Sequence, residues 1–422
     1  MFAVTLQDAV KETLATNPTI QAAIAQRNSR EGELQQARAG YKPTIDLTAS
    51  IGYGSADNSS TQSSASETHS RSESAINLRQ MIFDGFATRS EVARQTERIN
   101  SAAYAVYGTA ENTGLRATEV YLNVLRQEEL VKLATDNLAT HERIADQIIL
   151  RADAGVGRKS DQNQVEGRRA LATSNLISAQ TNLTDARTNY QRVIGNLPGA
   201  GDELEKPEFN ESVLPATVDD AVQQAVAGNP TLKSSLADVE ATIAQHKGTK
   251  STLYPRFDLE IGETWSSGAN GIDGNNNDAS ALIRMRYNLY RGGADVAKSA
   301  QAANLVSEAQ EISNNTYRQV VESMRLSWNA YEAIETQLVY LRQHVESTSK
   351  TREAYAKQFN IGQRSLLDLL DSENELFSAA RAVITAEYDK AFAQYRIMTA
   401  MGKLLEQLGL ALPEETQPIS RN

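Results

Sequence analysis

The sequence predicts a mainly α-helical protein with a membrane β part, built as a tandem duplication. Nine prolines in 422 residues leave two long proline-free stretches, 44–197 and 256–412. Proline removes a backbone donor and clashes with the preceding helical turn, so these stretches favour long helices. A set of landmarks also recurs along the chain at a nearly constant spacing. Finally, four segments alternate apolar and polar residues, which is typical of strands with two different faces.

The composition excludes several classes of protein. The chain has 42 Lys and Arg against 53 Asp and Glu, a net charge of −11. This balance argues against a nucleic-acid partner, because phosphate binding needs a basic surface. There is no cysteine and the four histidines are scattered, so we expect no metal site and no histidine-based triad. No nucleophile, base and orienting group occur together, so we expect neither enzyme activity nor a cofactor.

The recurring landmarks divide the chain into repeat one at about 4–200, repeat two at about 216–407 and a C-terminal tail at 408–422. Pairs 212 residues apart are Asp8 with Asp220, Asn17-Pro18 with Asn229-Pro230, and Pro43 with Pro255. Pairs 207 residues apart are Gly85 with Gly292, Gly155 with Gly362, Asp161 with Asp368, and Gly195 with Gly402. Repetition on this scale indicates two equivalent halves that differ mainly in the length of one loop.

Each half is expected to contain two strands joined by a polar, mobile hairpin loop. The predicted strands are about 43–54, 74–84, 255–266 and 279–290. In the first of them Leu47, Ala49 and Ile51 share one face, as a period of two requires. The loops between the strands are Ser55–Ser74, rich in Ser and Thr, and Ser266–Ser280, rich in Gly and Asn.

The rest of each half is expected to be helical. The predicted helices are about 19–40, 87–153, 160–194, 231–252, 294–360 and 365–401. In the fifth helix Val320, Met324 and Trp328 begin a narrow apolar stripe with spacings of three and four residues. A helix with one narrow stripe needs neighbours along a coiled-coil seam, which the shorter helices would supply.

The strands then decide the fold class. Four strands in one chain form an open sheet whose two unpaired edges are forbidden in lipid. Three copies of the chain would give twelve strands, an even number within the range of membrane barrels. The apolar face would meet lipid, and the polar face would line a wet lumen. The aromatic residues near the strand ends then indicate a girdle at the lipid headgroups rather than a sugar site; these are Tyr53, Trp265, Tyr287 and Tyr290.

The duplicated layout resembles the TolC family of trimeric outer-membrane export ducts. The resemblance rests on the Asn17-Pro18 break, on the Phe83-Asp84-Gly85 and Tyr290-Arg291-Gly292 turns, and on the segment Gly362-Gln363-Arg364-Ser365-Leu366-Leu367-Asp368-Leu369-Leu370-Asp371. It implies a homotrimer that forms a 12-stranded outer-membrane β-barrel, continued by a long α-helical periplasmic tunnel. It also implies a Gram-negative outer membrane, a signal peptide removed upstream, contact with outer-membrane lipid, and no cofactor.

The same resemblance implies partners and a cargo route. The partners would be a periplasmic adaptor protein and an inner-membrane transporter, either ABC-type or proton-driven. The segment from Gly155 to Asp161, followed by Gln164 and Glu166-Gly167-Arg168, is more similar to ducts of type I protein secretion than to drug-efflux ducts. Type I secretion is therefore the first hypothesis for the cargo, and multidrug efflux is the alternative.

The two helical hairpins are expected to turn at tips that carry Gly155, Gly157 and Gly362, since glycine permits a sharp reversal. The resemblance implies a latch that holds the tip closed, with Arg364 as donor and Ser160 and Asp161 as acceptors. The family's tyrosine position holds Phe359 here, which removes one hydroxyl. Closure is therefore expected to depend more on Arg364–Asp161, with Arg158 as a substitute donor.

Asp368 and Asp371 are three residues apart and so lie on one helix face. If that face points inward, a trimer would collect six carboxylates in a periplasmic selectivity ring for cations. The alternative is that they cap the helix and decorate its outer wall. From a different class of protein, a filament with helical rods and polar loops would explain the composition but not the four strands or the duplicated tips.

Overall fold

The computed structural model describes residues 3–55, 68–155, 157–197, 203–269 and 274–420. The chain separates into two compact units. The first contains Met1–Ile24, Ala105–Leu232 and Thr316–Thr416. The second contains Ala25–Tyr104, Lys233–Asn315 and Gln417–Asn422.

Nine helices account for most of the described residues. They are α1 (Leu6–Thr16), α2 (Pro18–Ala39), α3 (Ala87–Asp153), α4 (Lys159–Ile194), α5 (Val218–Gly228), α6 (Pro230–Thr249), α7 (Ala294–Asn360), α8 (Leu366–Ala400) and α9 (Leu404–Gln407). None of the helices in the described part of the chain is long and apolar enough to cross a membrane. The helix expected at about 231–252 ends at Thr249, and a 3-10 turn over Lys250–Leu253 follows it.

The strands form two sheets. Two short strands, β1 (Ala3–Val4) and β4 (Glu203–Leu204), pair in parallel. The other four form an antiparallel sheet in the order β2-β3-β5-β6. Their bounds are β2 Thr44–Gly54, β3 His69–Phe83, β5 Arg256–Ser267 and β6 Asn275–Arg286.

Two strand boundaries differ from the sequence prediction. β3 begins at His69 rather than near residue 74, and β6 covers Asn275–Arg286 rather than about 279–290. The polar ends of these strands pair with their neighbours in register, since Gly54 lies opposite His69 and Ser267 opposite Asn275. Cross-strand hydrogen bonds extend the strands into residues that lack alternation. The remaining loop residues, 56–67 and 270–273, lie outside the described part of the chain.

The four-stranded sheet has one apolar and one charged face. On the apolar face Leu47 lies opposite Ile76, Leu78 opposite Ile261, and Leu259 opposite Ile283. Several of these side chains are exposed, and Leu47 and Ile283 are 75% and 71% exposed. On the other face, Arg284 donates to Glu260 across the strand pair, with Nε and Oε2 2.6 Å apart. An open apolar face of this kind suits contact with lipid rather than water.

The first unit is held by a large apolar core in which α3, α4, α7 and α8 meet α1, α5 and α9. Tyr121, fully buried in α3, donates to the carbonyls of Val4 and Glu205 beside the β1–β4 pair. Glu111, also on α3, accepts from the amides of Leu404 and Leu405 and so anchors the start of α9. Burial raises the pKa of the Glu111 carboxyl to about 7.

The duplicated landmarks make equivalent contacts in the two halves. The side-chain oxygen of Asn17 accepts from the amide of Thr19, and its nitrogen donates to the carbonyl of Val193. Asn229 accepts from Thr231 and donates to the carbonyl of Ala400 in the same way. Each Asn-Pro break therefore ties a short helix pair to the C-terminal end of that half's returning helix.

Candidate functional site

The first hairpin tip joins α3 to α4 over residues 154–158. The two helices contact each other away from the tip, where the guanidinium of Arg187 on α4 lies 2.9 Å from the carboxylate of Glu128 on α3. Gly155 has φ +75°, a conformation that side chains with a Cβ rarely adopt. Gly157 allows a close approach, because a Cβ there would lie 2.8 Å from the backbone nitrogen of Ala152. Val156, within the same tip, lies outside the described residues.

The second hairpin tip joins α7 to α8 over residues 361–365. Gly362 has φ +78°, matching Gly155 in the other half. Ser365 is the N-cap of α8: its hydroxyl accepts from the amide of Asp368 at 3.2 Å, and its own amide donates back to Oδ2 of Asp368 at 3.4 Å. The hydroxyl also donates to the same Oδ2 at 2.8 Å. This reciprocal capping box satisfies two groups at the helix start. At the first tip the N-cap is Arg158, whose side chain makes no capping hydrogen bond.

A small apolar cluster, separate from the main core, packs the two tips together. Its buried members are Ile144, Ala145, Ile148 and Val165 from the first hairpin and Leu366, Leu369 and Leu370 from the second. Phe359 is partly buried against this cluster, and the guanidinium of Arg151 lies 5.6 Å from its ring centroid. The ring at the family's tyrosine position is therefore part of the apolar packing of the tip.

The structure places Arg364 differently from the predicted latch. Its guanidinium lies 4.2 Å from the ring centroid of Tyr355, and its Nε donates to Gln358 at 3.0 Å. It also pairs with Asp368 at 3.7 Å. All three partners belong to the second hairpin, so the planar guanidinium is already stacked and hydrogen-bonded close to its own backbone.

The predicted acceptors, Ser160 and Asp161, contact each other instead. The Ser160 hydroxyl donates to Oδ1 of Asp161 at 3.2 Å. Within one protomer, the ion pair of Arg364 among the described residues is the one with Asp368, not one with Asp161. The latch therefore stays a prediction about the assembled protein.

The two aspartates of the predicted ring have different surroundings. Asp368 is the capping-box carboxylate, and the hydrogen bond from the Ser365 hydroxyl, with smaller help from Arg364, holds the pKa of Asp368 below its usual range. Asp371 lies 2.5 Å from the guanidinium of Arg168 on α4. The cap alternative therefore describes a real contact of Asp368, whereas Asp371 ties the two hairpins together.

Sequence reasoning missed the role of Arg168. In the sequence it belongs to the Glu166-Gly167-Arg168 motif, which does not indicate its partner. The helix face on which Arg168 lies is a usable signal. Arg168 is three residues after the buried Val165 and four before the buried Ala172, so it lies on the packed face of α4. An arginine on the packed face of a helix needs a carboxylate partner, and here that partner comes from the neighbouring hairpin.

Polar side chains lie buried among the helices beyond the tip cluster. His141 on α3 is 5% exposed, and its Nδ1 has no hydrogen-bond partner among the described residues. Burial, assisted by the positive charge of Arg168, lowers the pKa of the His141 imidazole. On α8 burial raises the pKa of Glu373, which lies 3.5 Å from Arg352. Among the described residues, no group of His, Cys, Asp and Glu is arranged to hold a metal ion.

Comparison with known proteins decides the family. The sequence model of the family described as outer membrane efflux protein matches residues 9–196 and 221–403, one stretch in each half. The chain belongs to this family. It is 26% identical over 420 residues to the outer membrane efflux protein BepC of Brucella suis, covering 97% of this chain and 89% of BepC. To the outer membrane protein TolC of Escherichia coli it is 24% identical over 432 residues, covering 99% and 86%.

A third relative and a solved structure agree with this assignment. The alkaline protease secretion protein AprF of Pseudomonas aeruginosa is 23% identical over 423 residues, covering 96% of this chain and 86% of AprF. The solved outer-membrane channel OprN superposes with a TM-score of 0.82 at 16% identity, covering 94% and 89%. The resemblance to the TolC family and the fold class of a helical tunnel with a barrel part are thus confirmed.

Membership of this family has direct consequences for the protein. It is a channel protein of the Gram-negative outer membrane and not an enzyme. The mostly helical chain with one antiparallel sheet agrees with the fold of the solved channel, a helical tunnel plus a barrel part. The filament alternative is wrong, because the chain belongs to the outer membrane efflux protein family.

The buried His141 predicts a pH dependence of stability. Its pKa in the folded protein lies below that of an exposed histidine, so the unfolded chain binds a proton first as the pH falls below about 6.5. Stability should therefore decrease as the pH falls from 7 to 5. His141→Gln should lose less of its apparent melting temperature over this range, as followed by circular dichroism in detergent. His344→Gln, at an exposed histidine of α7, is the matched control; an equal effect in both variants would contradict the prediction.

Proposed function

We propose that the protein is the exit duct of a tripartite export machine, which passes substrates from an inner-membrane transporter across the periplasm and the outer membrane. The observation that carries the proposal is the two-faced sheet continued directly by long helical hairpins: β3 ends at Phe83 and α3 begins at Ala87. A sheet with an apolar outer and a charged inner face suits a water-filled barrel in lipid. The hairpin tips then form the end at which substrate enters.

The duct works as a homotrimer with a periplasmic adaptor protein and an inner-membrane transporter, either ABC-type or proton-driven. A trimer supplies twelve strands and six hairpins, so the duplicated halves become a pseudo-sixfold ring. Outer-membrane lipid surrounds the apolar face of the sheet. The open four-stranded sheet supports the homotrimer, because its two edges need further strands in lipid. The family to which the chain belongs supports the adaptor and the transporter.

Protein secretion by a type I machine is the cargo route that we favour. AprF, matched along almost the whole chain, is named for secretion of an alkaline protease. The first-tip segment from Gly155 to Asp161 and the Glu166-Gly167-Arg168 motif have the form found in secretion ducts, and Arg168 ties this motif to Asp371. Multidrug efflux is the second candidate, because BepC is named as an efflux protein.

Deletion of the gene separates these routes. Type I secretion predicts that one or a few proteins disappear from the culture medium and accumulate in the cells, with little change in drug sensitivity. Complementation with the intact chain should restore the secreted protein. Unchanged secreted proteins together with increased sensitivity to several drugs would instead establish the efflux alternative.

The latch prediction concerns how the tip is held closed. In the assembled trimer we propose that Arg364 exchanges its own-hairpin contacts for Ser160 and Asp161 of an adjacent hairpin, with Arg158 as the substitute donor and Phe359 packing beneath. Arg364→Ser should then raise single-channel conductance in planar bilayers. Arg325→Ser, which removes a surface pair with Asp219 far from the tip, is the control. Equal conductance in Arg364→Ser and wild type would exclude Arg364 from the latch.

The second tip is proposed to form the cation-selective ring, with Asp368 and Asp371 facing the opening. Carboxylates collected at a constriction raise the local cation concentration about tenfold or more, and multivalent cations gain most. Asp368→Asn combined with Asp371→Asn should therefore reduce cation selectivity, measured as the reversal potential in a salt gradient. It should also weaken block by a trivalent cation from the periplasmic side by about tenfold. Unchanged selectivity and block in this double variant would show that the two carboxylates only cap and tie the helices.

A further inference from the structure

The sheet has two open edges that run its full length. β2 and β6 are the terminal strands of the order β2-β3-β5-β6, so each has only one pairing neighbour in the described part of the chain. A strand edge in lipid needs a partner for its backbone groups, because no water is available to hydrogen-bond them. β2 has 11 residues and β6 has 12, so the two edges are nearly equal in length.

One end of β6, the end that carries Arg284 and Arg286, has surplus positive charge on the lumen face. Glu260 alone accepts from Arg284 at 2.6 Å and from Arg286 at 2.7 Å, and it also lies 3.5 Å from Arg79. Asp258, which is fully buried, forms ion pairs with Arg256 and Arg286. Asp258 and Glu260 thus form ion pairs with four guanidinium groups. Arg284 and Arg286 are each 48% exposed and lie at the open edge.

The edge formed by β2 carries the complementary charge. Asp46 is the only residue of this strand that is charged at neutral pH, it is exposed, and it makes no ion pair within the described residues. It shares the lumen face with the arginines. The register shows this, since Asp46 lies opposite Asn77, Asn77 opposite Gly262, and Gly262 opposite Ser280 on β6. Arg284 and Arg286 are four and six residues after Ser280 on β6, so their side chains lie on the same face as Ser280.

The apolar faces of the two edges also match. Ile45, Leu47 and Ala49 on β2 share the lipid face with Met285, Ile283 and Ala281 on β6. An antiparallel pairing that keeps lipid-facing residues opposite one another can shift only by steps of two, because a one-residue slip would turn one strand's apolar side chains into the lumen. These constraints leave few registers.

We propose that β6 pairs antiparallel with β2 of a second copy of this chain, with Asp46 of the partner subunit opposite Arg284. In this register Ile283 faces the partner subunit's Leu47, and all 11 residues of that β2 are paired, because its first residue lies opposite Arg286 and its last opposite Asn276. The partner's Asp46 completes the charge cluster that Asp258 and Glu260 leave partly unneutralised. The inference rests on the proposed function, which requires a closed barrel of several copies.

Disulfide trapping tests the register directly, since the chain contains no cysteine. Leu47→Cys combined with Ile283→Cys, and Thr48→Cys combined with Leu282→Cys, sample one hydrogen-bonded and one non-hydrogen-bonded pair. Residues directly opposite have Cβ atoms close enough for a disulfide. At least one of these variants should form covalent dimers and trimers on oxidation that disappear on reduction. Leu47→Cys with Leu282→Cys, one residue out of register, is the matched control and should not cross-link.

Charge reversal tests the ion pair. Asp46→Arg and Arg284→Glu should each lower the temperature at which the trimer dissociates on a denaturing gel, and the combination should recover most of the loss. Asp278→Arg, on the same face near the other end of β6, should leave that temperature unchanged. If the double variant shows no recovery, the ion pair is wrong even where cross-linking supports the register.

The outcomes separate this inference from the proposed function. A stable trimer with channel activity that cross-links only in the control combination, or in none, would overturn the proposed register and leave the duct intact. Absence of both trimer and channel activity in the unmodified chain would instead overturn the proposed function. Cross-linking at the proposed pairs together with recovery in the charge-reversed double variant supports the whole inference.

Discussion

The fold depends on one constraint: a β-strand in lipid must hydrogen-bond along both of its edges. One chain supplies four strands, which leaves two edges open. Helices satisfy their backbone groups internally, so the rest of the protein has no such requirement. This difference explains why the sheet, and not the helices, is the part of the chain that needs further strands. The pairing that we propose between β6 and β2 of the partner subunit meets this need.

The duplication is maintained by contacts that depend on individual landmark residues. Thr5 and Thr217 each cap a helix by accepting from the amides of Asp8 and Asp220. Asn17 and Asn229 each reach back to a carbonyl at the end of the returning helix. Proline, asparagine and glycine recur because each supplies a backbone geometry or a capping group that other residues supply poorly. The rest of the two halves is free to diverge as long as the apolar stripes remain.

Sequence reasoning worked best where a single physical signal covers many residues. The bounds of α3 and α7 follow from the absence of proline and from glycine at the tips. Strand ends were less accessible, because the polar ends of β3 and β6 are set by pairing with neighbours and not by alternation. The short helix α9 was missed for a similar reason: its start is fixed by buried Glu111, almost three hundred residues earlier in the chain.

At the tips, the sequence indicated which residues shape the turns and carry charge, but not which residues they contact. The glycines follow from backbone geometry, which is local. Arg364 has a long side chain with several acceptors within reach. Only the three-dimensional arrangement shows that its guanidinium contacts Gln358, Asp368 and the ring of Tyr355. The Arg168–Asp371 pair joins residues from different halves of the chain, so no local pattern could reveal it.

These contacts also determine how the tip charges can act. In Asp368 the capping box and the pair with Arg364 all use Oδ2, which leaves Oδ1 without a recorded contact in the described part of the chain. Since its pKa is lowered, Asp368 stays ionised over the physiological range while it caps the helix. Asp371 is different, because its charge is compensated by Arg168 for as long as the two hairpins remain in contact. Capping and cation attraction are therefore compatible at Asp368, whereas at Asp371 the available negative charge depends on the packing of the hairpins. A tip that loosens this pair would expose more negative charge than a closed one, so the proposed selectivity of the tip is physically linked to its packing.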